Sequence, residues 1–317
     1  MNGKILITGA AGFIGRAVSE RLLAMGEDLV LVDSLNNYYA PQLKRDRLNS
    51  LMTGGKVKFF YADITNQDYL NRLFSENDIK TVIHLAAQPG VTASMVDPAR
   101  TYKTNVVGTA AVLDACQKYG VERIFYASSS SVYGAGTSSV KEHDQTFPSS
   151  NYALSKLTNE QQADMHHQSY GGTMVGMRFF TAYGPWGRPD MAYWLFTKAI
   201  MEDKPVLLRG IMTRRDFTYV DDLVDMVVGI LDKAVPGTHE IYNLGSGRSI
   251  SVESMIMTIG EILGKKPEII EIDLPVYESS ITRSSVDKLQ SRIGYCKTTS
   301  MAEGLKNFVE WYKDYHK

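Results

Sequence analysis

The first fifteen residues constrain the fold most. A strand-like run, KILIT at residues 4–8, stops on Gly9-Ala10-Ala11-Gly12-Phe13-Ile14-Gly15, and a helical pattern carrying Val18, Leu22 and Leu23 follows at once. Such a turn lets backbone approach a pyrophosphate closely and aims a helix N-terminus at it. The spacing is GxxGxxG, and a glycine triplet by itself also serves ordinary strand-to-helix packing. What selects the nucleotide reading is the second strand-like run, DLVLVD, which ends on Asp33. A carboxylate there accepts hydrogen bonds from the hydroxyls of an adenosine ribose and repels a 2′-phosphate. Ser34, not an arginine, comes next, so the pattern favours NAD over NADP, with Gly9, Gly12, Phe13, Ile14, Gly15 and Asp33 as its first contacts.

KILITG, DLVLVD, VKFFYAD, TVIHLAA and RIFYASS alternate with longer helical patterns. Alternation of this kind implies a parallel sheet with crossover helices. The runs are almost continuously apolar, as strands covered on both faces must be. The expected fold is α/β, a doubly wound parallel Rossmann sheet with a smaller interleaved C-terminal substrate domain. The chain's 317 residues suit two domains at roughly 150 each. From about Met177 the pattern changes, because RFFTAYGPWGRPDMA is rich in Pro, Gly and aromatics. Residues 1–176 are read as the NAD-binding domain, with returning elements at about 214–240, and 177–317 as mainly substrate-binding.

Thirty-four Lys and Arg against thirty-five Asp and Glu give a net charge of −1 with no one-sign block, so no global field gathers nucleic acid or an anionic membrane. No apolar stretch reaches the ~20 residues a bilayer requires, and the opening MNGKILITG lacks a signal peptide's basic end, so a cytoplasmic protein is expected. Cys116 and Cys296 lie outside any CxxC and read as buried thiols rather than a disulfide or metal site. His166-His167, neighbours about 100° apart on a helix, read as a solvated helix end, and His84 as a satisfied strand histidine. Trp194, Phe196 and Ile200 fit a buried helix stripe.

Tyr152 and Lys156 are four apart in SNYALSKLTNEQQ, a helical stretch opened by Ser149, Ser150 and Asn151, so both lie on one face. A free phenol titrates near ~10, and using it as a base at neutral pH means stabilising the phenolate by about 4 kcal/mol. Lys156 together with an oxidised nicotinamide could supply that field. YxxxK is frequent by chance, but here it follows a nucleotide fingerprint and the run Ser128-Ser129-Ser130-Ser131 at the C-terminal end of a strand. Ligands of open α/β sheets bind at those ends.

Over essentially its whole length the sequence resembles the extended short-chain dehydrogenase/reductases, specifically their nucleotide-sugar epimerases. TGAAGFIG, Asp33, Asp63-Ile64, HLAAQPGV at 84–91, Asn105 in TNVVGT, SSSSVYG, the Tyr152/Lys156 pair and RRDFTYVDD at 214–222 carry the resemblance. It implies that Asp63 and Ile64 flank adenine, that Leu85, Ala86 and Ala87 line the cofactor with Asn105 beside them, and that Ser129 holds the reacting sugar oxygen. It also implies a tightly held NAD, a 4-keto sugar intermediate, Tyr152 as proton acceptor, and a homodimer built on helices at roughly 101–118 and 151–169. No nucleic-acid or membrane partner is implied.

Within the family the residues between Ser129 and Tyr133 separate reactions. Dehydratases carry an acidic pair there and decarboxylases a glutamate, whereas Ser130 and Ser131 are too weakly acidic to shuttle protons near neutrality. DSLNNYYAPQLKRDRL and RFFTAYGPWGRPDMA resemble the UDP-glucuronate 4-epimerases. That narrower resemblance places Ser130, Ser131 and Thr181 on a sugar carboxylate, with Arg188 as a further contact and Arg215 on the diphosphate. Three stretches depart from it: Thr92-Ala93-Ser94 stands where an arginine is expected, the 205–215 segment is one residue short with Arg209 near the usual aromatic, and 277–287 is rewritten, leaving Arg283 as the candidate second diphosphate arginine. A 4-epimerase of another nucleotide sugar, a dehydratase or decarboxylase, and a catalytically silent dinucleotide sensor are the competing readings.

Overall fold

The structure is a computed structural model that describes residues 3–52, 56–134, 139–294 and 297–317. The apolar runs become strands of one parallel sheet: β1 (Lys4–Thr8), β2 (Leu29–Asp33), β3 (Val57–Tyr61), β4 (Ile79–His84), β5 (Arg123–Ser129) and β6 (Thr173–Phe179). Three two-stranded ribbons follow: β7 (Thr181–Tyr183) with β10 (Phe217–Tyr219), β8 (Val206–Arg209) with β13 (Ile269–Ile272), and β9 (Arg214–Arg215) with β12 (Ile250–Ser251). β11 (His239–Leu244) returns to the main sheet, whose order is β11-β6-β5-β4-β1-β2-β3. The order reverses beside β1, and the crevice at the C-terminal ends of β1 and β4 is where such a fold takes its ligand.

Helices α1 (Phe13–Ala24), α2 (Pro41–Leu51), α3 (Gln67–Glu76), α4 (Val91–Val96), α5 (Pro98–Tyr102), α6 (Gly108–Lys118) and α7 (Asn151–Tyr170) cross between the strands. Val18 and Leu22 of α1 are fully buried with Ile5, Ile7 and Leu31 of the sheet, the burial that the spacing foretold. The helix expected at 101–118 starts earlier, at Pro98 under an Asp97 cap, and it carries a π turn over Lys103–Val107. A π turn inserts one residue into the ladder and re-aims the side chains around it. This one carries Asn105, which is fully buried.

The expected boundary at 176 falls inside β6, because the strand continues through Phe179 with every residue buried. The returning element likewise runs on to Leu244, whose side chain is fully buried. The second half forms around an aromatic cluster in which Tyr193 and Trp194 pack on Phe308 at 4.8 and 5.9 Å between ring centres. Trp194, Phe196 and Ile200 are buried as expected, and so are Cys116 and His84, whose ring bonds Thr8 and Thr109. Cys296 lies outside the described residues. Among the described residues no helix is long and apolar enough to cross a membrane, and no cluster of metal-ligating side chains occurs.

Candidate active site

One cavity of about 1210 Å³ runs along the C-terminal ends of the sheet and under the second half. Its first end is the glycine turn. Gly9 has φ +71°, and a Cβ there would stand 2.7 Å from the Ala86 nitrogen. A Cβ on Gly15 would come within 2.1 Å of the Gly9 carbonyl oxygen, so turn and helix pack closer than any side chain permits. Gly12 caps α1 without a side-chain bond, which leaves the first-turn N–H groups of the helix to an anion. Asp33 stands at the end of β2, its Oδ2 accepting from the Ala11 N–H at 3.0 Å and its Oδ1 from the Leu35 N–H at 2.8 Å. Burial raises this carboxyl; the two N–H bonds and the charges of Lys44 and Arg47 oppose the rise. With Phe13, Ile14, Asp63, Ile64, Leu85, Ala86 and Ala87 also lining the cavity, these residues fit an adenine dinucleotide. Gly15→Ala is expected to yield folded protein stripped of NAD, read by releasing and quantifying cofactor from the purified enzyme; full retention would mean the turn does not hold the pyrophosphate.

The other end is built on α7. Ser150 caps it by accepting from the Ala153 N–H at 3.1 Å, and Ser94 of α4 pins its first turn, its Oγ accepting from the Tyr152 N–H at 3.0 Å. This fixes Tyr152 beside the end of β5, where the Ser129 hydroxyl favours its phenolate. Ser131 Oγ donates to Ser129 Oγ at 2.7 Å, so Ser129 is itself oriented. Burial raises the phenol; the charge of Arg188 and the Ser129 hydroxyl lower it. Lys156 is 3 % exposed and donates to the Ala127 carbonyl at 2.9 Å, and burial takes its ammonium down to about 8. Lys156 is thus anchored on the end of β5, and the guanidinium of Arg188 is the charge that most favours the phenolate.

Ser130, Ser131 and Thr181 line the cavity beside this pair. Arg188 lines it too, but its fork is closed on Asp190, with Nε to Oδ1 at 3.0 Å and Nη2 to Oδ2 at 2.5 Å. Burial works against the Arg188 charge and Asp190 more than restores it. Arg215 donates to the carbonyls of Arg214 and Ser280, both at 3.1 Å, and faces the cavity with no carboxylate in ion-pair range among the described residues.

Two expected contacts are not brought to the cavity. Arg283 is exposed on the far side of its segment, its Nε donating to the Gly247 carbonyl at 3.0 Å, because Ser284 next to it is drawn inward onto buried Asp216. Asn105 sits behind the cavity wall. Its amide oxygen accepts from the Gln88 N–H at 2.7 Å and its Nδ2 donates to the Gln88 carbonyl and to Ser155, so it fastens the 85–90 loop to α7.

Three residues were missed. Lys44, packed near Asp33, and Glu278 both line the cavity. Arg47, fully buried, joins the glycine turn to the loop carrying Arg188. The signal for Lys44 and Arg47 was two cations in LKRDRL at positions whose neighbours Leu43 and Leu48 are core. A second cavity, about 990 Å³, lies at the outer side of α7 against Glu142, Glu160, Asp164 and His239. Its Glu160 is spent on Arg178 at 2.7 Å and on Ser128.

Residues 5–245 match the NAD dependent epimerase/dehydratase family. Protein CapI of Staphylococcus aureus is 37% identical over 99% of each chain. UDP-glucuronate 4-epimerase 3 of Arabidopsis thaliana is 36% identical over 98% of this chain and 77% of its own. The crystal structure of UDP-glucuronic acid 4-epimerase from Bacillus cereus, in complex with UDP-glucuronic acid and NAD, superimposes with a TM-score of 0.94 at 32% identity, covering 98% of this chain and 99% of that one. A match that spans the sheet, the glycine turn and both walls of the cavity shows that the chain belongs to the NAD dependent epimerase/dehydratase family.

Proposed function

We propose that this enzyme interconverts UDP-glucuronate and UDP-galacturonate by inverting sugar carbon 4 through a transient 4-keto sugar. The observation that carries the reading is the wall around the Ser129–Tyr152 pair. It offers a base-forming phenol and the hydroxyls of Ser130, Ser131 and Thr181, while among the described residues the carboxylates lining this half, Asp190 and Glu278, are paired with Arg188 and Arg209. A site that eliminates water needs an acid for the leaving hydroxyl, and carboxylates held in ion pairs with arginine are poor proton donors. Hydroxyl donors and an arginine suit a carboxylate on the sugar.

Bound NAD supplies a hydride acceptor and then a hydride donor at carbon 4. Ser129 holds the carbon 4 oxygen, and Tyr152 accepts its proton as the carbon–hydrogen bond breaks. The sugar turns over in the cavity while Arg215 holds the diphosphate. Tyr152 then returns the proton to the oxygen as carbon 4 is reduced on its other face. No net oxidation results, so the cofactor stays with the protein. A 4-keto uronic acid is a β-keto acid prone to lose carbon dioxide, and holding the carboxylate on Thr181, Ser130, Ser131 and the Nη1 of Arg188, the edge not turned to Asp190, keeps it in place until reduction.

Proton NMR of the protein as isolated, given UDP-glucuronate and no added NAD, tests this. Growth of UDP-galacturonate anomeric signals is expected. UDP-xylose or a 4-keto pentose would refute the reading of the wall, and no change after adding NAD would refute the glucuronate assignment. The same proposal includes a homodimer across α6 and α7, supported by exposed Val107 at the π turn that leads into α6 and exposed Leu154 and Met165 on α7, with light scattering on a sizing column as its check.

A further inference from the structure

Thr92, Arg209 and Glu278 come from three segments far apart in sequence and meet inside the substrate half of the cavity. Glu278 Oε1 accepts from Arg209 Nη1 and from Thr92 Oγ1, the latter at 3.4 Å. Thr92 opens α4 on the nucleotide side, Arg209 ends β8, and Glu278 lies beyond β13, so the cluster ties the two sides of the cavity together. Leu207 and Arg209 share the exposed face of β8, while Val206 and Leu208 enter the core. Arg215 lies in the same half, bonded among the described residues to carbonyls, and Glu278 is the carboxylate whose charge reaches it. Asp190, the other carboxylate lining this half, is already closed on Arg188.

Glu278 is thus paired with one guanidinium, Arg209, and its charge reaches a second, Arg215, which faces the same cavity. A diphosphate arriving on Arg215 is repelled by Glu278, and it offers Arg209 oxygens that match the guanidinium fork better than a single carboxylate oxygen does. We propose that Glu278 is a displaceable counter-ion: it holds Arg209 in the nucleotide-free enzyme and yields it to the diphosphate of the incoming sugar nucleotide. The carboxylate then lowers the affinity for bound nucleotide and promotes release of the product. The inference rests on the reading of the substrate as a nucleoside diphosphate sugar.

The test is calorimetric titration of the NAD-loaded enzyme with UDP, inorganic pyrophosphate and uridine. Glu278→Gln, which keeps the shape and removes the charge, is expected to bind UDP and pyrophosphate about tenfold more tightly, and Arg209→Gln about tenfold more weakly, an energy of one charge pair in a partly wet site. Uridine binding stays unchanged in both. Unchanged or weakened UDP binding in Glu278→Gln overturns the proposal, and weakening toward uridine as well would assign Glu278 to the nucleoside instead. A wild type that refuses UDP yet binds pyrophosphate with both shifts would sink the uridine reading and leave the counter-ion standing. Binding of neither by the wild type overturns both.

Discussion

Tyr152→Phe is expected to lower turnover by about 10²–10⁴-fold, the usual contribution of a positioned acid–base group, with NAD still bound to the purified protein. The size follows from where the phenol sits. Burial alone raises it, so in the empty site it is a poor base. Arg188 and the Ser129 hydroxyl work against that rise, and bound NAD adds a positive nicotinamide; Lys156 contributes while anchored on Ala127. Since the deprotonated form is the working one, turnover falls as pH drops below the phenol's apparent pKa. Arg188→Gln removes a stabilising charge and is expected to move that limb to higher pH. A pH profile of kcat for both variants checks the two statements together. Unchanged turnover in Tyr152→Phe would remove Tyr152 as the base, and a limb that stays put in Arg188→Gln would remove Arg188 from its electrostatics.

The sheet was legible because its signal is local. Five runs too apolar for one-sided strands, separated by helical spacing, leave few alternatives to a covered parallel sheet, and β1 to β5 lie where those runs stand. The same holds for Asp33 and Tyr152, fixed by a strand end and by a helix that Ser150 caps. The pairing of Lys156 with the Ala127 carbonyl, by contrast, depends on how α7 lies against β5, which helical spacing does not contain. Arg283 shows the same limit. A guanidinium in the right segment was a fair candidate, yet Asp216 accepts bonds from Ser246, Gly247 and Ser284, and that knot turns Arg283 outward. The three stretches that departed from the resemblance looked like separate losses along the chain. In space Thr92, Arg209 and Glu278 form one cluster, and only the fold could show that the changes belong together.

Arg47→Met is expected to be the most damaging single change outside the Ser129–Tyr152–Lys156 group, costing more than about 3 kcal/mol of stability and lowering the melting temperature by roughly 10 °C. Arg47 is fully buried, with no carboxylate in ion-pair range among the described residues. Its Nε and Nη2 donate to the Trp186 carbonyl at 3.0 and 2.6 Å, and Nη2 also to that of Gly187 at 2.7 Å. Nη1 reaches the Ala11 carbonyl at 3.1 Å and the Tyr39 hydroxyl at 2.6 Å. Methionine fills much of the volume but supplies none of these donors, and each buried acceptor left alone costs about 1–3 kcal/mol. Trp186 feels this most, because it is held at φ +62°, a left-handed backbone that a bulky residue keeps only under constraint. Two residues further on is Arg188, whose charge acts on the phenol, so kcat is expected to fall more than KM rises. Lysine, a single point donor, cannot span four acceptors and is expected to restore little. Because Ala11 belongs to the glycine turn, the loss of melting temperature should be larger with NAD present than after its removal. A variant that melts and turns over like the wild type would show that turn and loop hold each other without Arg47, and equal losses in both forms would confine it to the loop.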